Sequence, residues 1–130
     1  MLLTTTLTSA AAAAIINIWL SIRCGQIRTK AGISIGTGGN EMLERRMRAQ
    51  SNFVENTPWI LALIAALELA SKGGQWLPYV AGIYMLGRVA HGLGMDGTGF
   101  TKGRMIGTLI TMATQLGLAV VAALVATGNM

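Results

Sequence analysis

Met105 to Met130 reads MIGTLITMATQLGLAVVAALVATGNM and holds no charged residue. The run is longer than the ~20 residues a helix needs to cross a bilayer. A soluble helix of that length needs a charged face toward water, and this one carries no charge. Two further charge-free stretches precede it, Met1 to Ile22 and Gly73 to Gly87. Only 12% of the 130 residues are charged, against ~25% in globular domains. That shortfall excludes a soluble domain. A hydrophobic share of 52% excludes disorder. One polytopic membrane domain over residues 1–130 remains.

Four spans are expected, at about 2–24, 52–70, 76–93 and 104–127. Met1 to Ile22 has no Lys or Arg ahead of its apolar core, so it reads as a retained span rather than a cleaved leader. Gly32, Gly36, Gly38 and Gly39 break the chain after the first span. A helix restarts near Glu41 and runs into the second span, where Pro58 is expected to kink it. Lys72 to Gly74 makes a tight turn, and a glycine-rich loop from Gly94 to Gly103 leads into the fourth span. Short connections predict an all-α, up-down-up-down four-helix bundle. Gly82, Ala90, Gly94, Gly107 and Gly117 offer small surfaces for close helix contact.

The net charge is +5. Arg23, Arg28, Lys30, Arg45, Arg46 and Arg48 lie between the first two spans, and Arg88, Lys102 and Arg104 between the last two. Lys72 stands alone on the other side. The positive-inside rule places both long loops in the cytoplasm and both termini outside it. Orientation therefore explains the basic excess. Nucleic acid is not expected as a partner, because no basic face carries exposed aromatics. A single cysteine, Cys24, excludes an intrachain disulfide, and one His with one Cys far apart makes no metal site. Gly92 to Gly97 fits GxGxxG, but it follows a membrane helix rather than a strand, so it has no dinucleotide context.

Strongly polar groups in or beside a span are costly and point to function. At ~3.6 residues per turn, Arg45, Arg48, Asn52 and Glu55 share one face of the second helix. That face is expected to point into the bundle. Arg46 falls on the other side, toward headgroups or solvent. Similar stripes are Tyr84, Arg88 and His91 on the third helix, and Arg104, Thr108, Thr111 and Gln115 on the fourth. Asn17, Ser21, Cys24 and Arg28 make a weaker one on the first. Interhelical hydrogen bonding is the plainer reading of Asn17, Ser21, Thr111 and Gln115. It does not explain the second helix, where cations outnumber the one acid and balanced pairing is lost. Such a face suits an anionic ligand. Several arginines fit carboxylates, Glu55 fits an ammonium, and Arg104 at a helix N-terminus fits a thiolate. Glutathione has that combination. A lipid phosphate head is another candidate.

Glu44 to Glu55, ERRMRAQSNFVE, followed by Pro58, resembles the signature of the membrane-associated proteins in eicosanoid and glutathione metabolism. Gly87 to His91, GRVAH, resembles the third-helix motif of that family, and Arg104 follows it without gaps at the position of the thiol-activating arginine. Gln26 and Arg28 match the end of the family's first helix. The resemblance covers almost the whole chain. It implies a homotrimer of four-helix subunits in the lipid bilayer, with glutathione as co-substrate held between neighbouring subunits near the cytoplasmic side. Carried over by position, Arg28, Arg48, Asn52, Glu55, Arg88 and His91 bind glutathione and Arg104 is catalytic. Arg48 and Arg88 hold carboxylates, Glu55 the amine, and Arg104 the thiolate.

The implied chemistry is glutathione transfer to lipophilic electrophiles, reduction of lipid peroxides, or both. Met95 and Thr108 stand where eicosanoid-forming members carry tyrosines, and Met105 where the prostaglandin-forming member carries serine. Those departures argue against leukotriene or prostaglandin synthesis. The chain looks like a compact bacterial member, expected in the inner membrane. The rival reading is a non-catalytic trimer that binds an anionic lipid or peptide head in the same arginine-rich pocket. A transporter subunit would show an inverted repeat, and none is apparent.

Overall fold

The computed structural model describes residues 1–130. Four helices follow one another: α1 (Thr4–Ala31), α2 (Glu41–Leu69), α3 (Leu77–Gly94) and α4 (Lys102–Ala126). The fold is all-helical. Several of their ends have a local cause. Gly32 takes a left-handed conformation, φ 70°, and closes α1 by donating its N–H to Arg28 O. Asn40 Oδ1 accepts from Leu43 N at 2.9 Å and caps α2. Glu41 and Glu44 add negative charge in that first turn. α2 continues unbroken through Pro58 to Leu69. Thr101 caps α4 by accepting from Arg104 N at 3.3 Å, and its hydroxyl donates to Gly94 O at 2.7 Å.

The start of α1 has no side-chain cap of its own. Glu68, from the far end of α2, supplies one. Its carboxylate accepts from Thr5 N and Thr6 N, both at 2.9 Å. A negative group at a helix N-terminus complements both the free donors and the dipole. The end of α2 is thereby fastened to the start of α1.

α1 buries Thr5, Ser9, Ala13, Ile16, Leu20 and Cys24, spaced three or four apart. α2 buries Phe53, Thr57, Ile60, Ile64 and Leu67 in the same rhythm. α3 and α4 approach through glycine. A Cβ on Gly107 would stand 2.5 Å from His91 Cβ and 2.6 Å from Gly87 O. A Cβ on Gly103 would stand 2.6 Å from Ala90 O. Small residues thus let two backbones touch, as they do between membrane helices. Of the small residues expected at contact surfaces, Gly94 and Gly107 are used inside the chain. Gly82 and Gly117 have nothing within 4 Å of an added Cβ and stay open.

The outer surface is apolar. Ile15, Ile18 and Ile22 of α1, Ile83 and Leu86 of α3, and Leu109, Met112, Leu116 and Val120 of α4 are all exposed. So much outward apolar area marks a surface made for lipid or protein rather than water. α1 and α4 are each long and apolar enough to cross a membrane.

Two expectations about α2 are corrected. Arg46 does not face headgroups or solvent. It sits against α1 and donates from Nη1 to Arg23 O at 2.8 Å and to Gln26 Oε1 at 3.2 Å. Its other nitrogens make a forked pair with Asp96, both contacts at 3.1 Å. Arg23, stacked on Trp19 at 5.0 Å, reaches the same carboxylate. Arg48 and Glu55, read as facing the bundle, instead pair with each other at 3.3 Å on an open flank, each side chain more than half exposed. The cause is the wide arc of α2 that the other helices cover. Residues on one stripe share a face, but the stripe alone does not say which neighbour that face meets.

Candidate functional site

The polar residues gather where α2, α3 and the start of α4 meet. A cavity of about 360 Å³ opens there, lined by Arg48, Asn52, His91, Met95, Phe100, Arg104, Met105, Thr108 and Leu109. Small-molecule sites span ~300–1,000 Å³, so the volume suits a ligand of peptide or drug size. One part of the lining is polar and cationic, through Arg48, Asn52, His91 and Arg104. The remainder is mostly apolar, through Met95, Phe100, Met105 and Leu109.

α2 supplies Arg48 and Asn52 one turn apart, so both point to the same flank. Arg48 has its one carboxylate partner in Glu55, which does not itself line the cavity. Arg88 lies behind the lining and is 2% exposed. It donates from Nη2 to Asn52 Oδ1 at 2.7 Å and from Nη1 to Thr111 Oγ1 at 2.9 Å. The Phe53 ring lies 6.0 Å from its guanidinium carbon. Its Nε has no partner. No carboxylate pairs with it. A buried cation held only by neutral groups is costly.

His91 is buried against Gly107, and its Nδ1 is also without a partner. Arg104 is the third residue of α4. It donates from Nη1 to Gly99 O at 3.2 Å and stacks on Phe100 at 5.1 Å. It too has no carboxylate partner.

The structure therefore brings together Arg48, Asn52, His91 and Arg104, with Arg88 bonded to one of them and Glu55 to another. Arg28 does not line the cavity. Its guanidinium donates to Gly36 O at 2.9 Å and holds the loop after α1. Tyr84 and Thr111, on the polar stripes, serve packing or positioning. Tyr84 is fully buried and shares a 2.7 Å hydrogen bond with Thr57. Arg45 pairs with Glu41 at 3.7 Å and takes no part in the cavity.

Sequence reading missed Asp96, which joins Arg23 and Arg46 beneath the loop leading to Arg104. A signal existed, because Asp96 is the last acid in the chain and the loop's sole counter-charge. Phe100 and Leu109 were also missed, and nothing in their local sequence marks them.

No curated protein matches the chain. The model of the MAPEG family matches residues 6–124, nearly the full length. The match takes in every lining residue of the cavity and nearly all of both apolar helices, and the chain belongs to the MAPEG family of membrane proteins of glutathione and eicosanoid metabolism.

Proposed function

We propose that this protein is a glutathione-dependent membrane enzyme that joins the glutathione sulfur to lipophilic electrophiles, with lipid peroxides as a second substrate class. The observation that carries the reading is uncompensated positive charge at one cavity. Arg104 at its edge and Arg88 behind Asn52 both lack a carboxylate. A tripeptide with two carboxylates and an ionisable thiol supplies the missing charge. Arg48 and Asn52 hold its carboxylates, with Arg88 setting the Asn52 amide. Glu55 takes the amine. Arg104 stabilises the thiolate, helped by the α4 N-terminus.

The reaction needs little more. The thiol proton passes to water, and the sulfur electron pair forms the bond to an electrophilic carbon. The leaving group departs with its own bonding pair. Arg104 and bound geometry supply charge stabilisation and proximity. The apolar lining of the same cavity is suited to the lipophilic partner.

A homotrimer completes the proposal. The cavity opens on the outside of one chain, and Arg28 lies away from it. A second copy packed on that flank closes the site and brings its own basic first-helix end. All four helices then cross the membrane, with the Arg23–Asp96–Arg46 end in the cytoplasm and the termini outside. A bacterial inner membrane is the setting that the basic cytoplasmic loops suit.

The test is the ultraviolet difference band of a thiolate when glutathione is added to detergent-solubilised protein at neutral pH. Its appearance, with conjugation of an aromatic electrophile, is expected. Binding without the band would instead support a non-catalytic trimer holding an anionic lipid or peptide head.

A further inference from the structure

Phe100 is 79% exposed, in a loop, and adds nothing to the core. Packing within the chain does not account for an aromatic there. Its contact is with Arg104, whose guanidinium carbon lies 5.1 Å from the ring centroid. The one hydrogen bond from the Arg104 side chain goes to Gly99 O at 3.2 Å. Gly99 has φ +69°, a conformation that L side chains rarely adopt, so a glycine there lets the loop turn its carbonyl toward the guanidinium. Thr101, which follows Phe100, accepts from Arg104 N and ties the loop back to Gly94 O. Three successive residues thus brace one arginine at its backbone, its guanidinium edge and its guanidinium face.

We propose that Phe100 is a positioning residue for Arg104, and that the Gly99–Thr101 segment holds the guanidinium in place before any ligand arrives. An arginine has several rotatable bonds, and without a carboxylate to pin it the head would sample many positions. An aromatic face attracts a cation without neutralising it. An acid in that place would hold Arg104 equally well and cancel the charge an anionic ligand needs. Phe100 thereby fixes the position and keeps the charge. Its ring also lines the cavity beside Met105, so the brace forms part of the surface that meets the second substrate. The inference rests on the proposed glutathione chemistry for the consequence, though not for the brace itself.

Two measurements separate these. The first uses no ligand. Wild type, Phe100→Leu and Phe100→Tyr are treated with phenylglyoxal, and modification at the peptide carrying Arg104 is followed by mass spectrometry. Exposed cation–π contacts are worth about two- to five-fold. Phe100→Leu should therefore react about two- to five-fold faster, and Phe100→Tyr at the wild-type rate. Equal rates in all three overturn the brace. The exposed position leaves the fold intact in both variants.

The second measurement adds glutathione and follows thiolate absorbance against pH. Phe100→Leu should move the midpoint upward by about 0.3–0.7 pH unit, the logarithm of the same factor. Phe100→Tyr should restore it. A faster-reacting Arg104 with an unmoved midpoint overturns the link to the sulfur. If wild type shows no thiolate at all, the enzyme reading fails, while the phenylglyoxal rates still decide whether Phe100 holds Arg104.

Discussion

Arg88 donates through Nη2 to Asn52 Oδ1 at 2.7 Å, tying a buried cation to the lining of the candidate site. The bond fixes the Asn52 amide with its oxygen turned inward and its NH2 group free to donate. It also places positive charge one residue behind the cavity wall, where low polarity strengthens its reach.

Arg88→Met tests whether that charge serves the fold or the ligand. Arg88 has no buried counter-charge to strand, and removing an unpaired buried cation relieves its desolvation cost. Thr111 can then bond a carbonyl of its own helix. The melting temperature in detergent is expected to hold or rise. Glutathione affinity, by calorimetry, is expected to fall by about 1.5–3 kcal/mol, the scale of hydrogen bonds involving a charged group. A large loss of stability with unchanged affinity would make Arg88 a structural residue.

Asp96 holds the basic end of the bundle together through Arg23 and Arg46. Burial pushes its carboxyl up, but hydrogen bonds from Arg46 and Arg23, and their charges, outweigh that and hold it below its ordinary 3.8. A lowered carboxyl stabilises the fold fully above the unfolded value and loses that contribution as pH falls through the folded one. Asp96→Asn should cost about 1 kcal/mol above pH ~5, a figure discounted for partial exposure. Wild type and variant should converge as the pH falls through the lowered carboxyl range of Asp96. Melting curves across that range check this, and a gap that persists in strong acid would mean the effect is not electrostatic.

The helices were legible because charge-free runs and glycine clusters alternate along the chain. Helix ends were less so. α1 continues past Cys24 to Ala31, since hydropathy reports where lipid ends while only Gly32 stops the helix. The Arg48, Asn52, His91 and Arg104 cluster was legible because each residue sits on a polar stripe beside a span. What the stripes could not give was inward against outward. Arg46 and Arg48 exchanged places for that reason. Glu68 and Phe100 depend on contacts made by the folded chain, to the start of α1 and to Arg104, and local sequence carries no trace of them.

The two kinds of glycine on α4 should respond oppositely to alanine. At Gly107 the added carbon would meet His91 Cβ and Gly87 O, both backbone-fixed, so α3 and α4 must part. Gly107→Ala is expected to cost about 1–3 kcal/mol, as overpacking does, and to disturb glutathione binding through His91. Gly117 has open space. Gly117→Ala should leave the subunit fold unharmed, or raise its stability by up to ~1 kcal/mol through helix propensity. If Gly117→Ala also splits the proposed trimer in native mass measurements, that glycine lies against a neighbouring copy.

Arg104 is the most decisive residue, and two substitutions separate its possible roles. It could anchor the start of α4 at the membrane edge, or it could stabilise sulfur. Its backbone cap comes from Thr101 and survives any side chain at 104. Its side-chain hydrogen bond and stack both stay within the adjoining loop. Anchoring is thus shared with Thr101 and Lys102, and Arg104→Ala should fold and assemble as wild type does. Turnover should fall at least about tenfold, or ~1.4 kcal/mol in the barrier, because the thiolate loses its cation. Glutathione affinity should change less, since Arg48, Asn52 and the charge of Arg88 remain. Arg104→Lys keeps a charge but loses the planar fork and the stacking surface, so it should recover part of the rate and show an intermediate thiolate midpoint. The ordering wild type, Lys, Ala in thiolate fraction, at nearly constant affinity, is the signature of sulfur activation. Equal thiolate in all three variants would leave Arg104 as an anchor and remove the centre of the catalytic proposal.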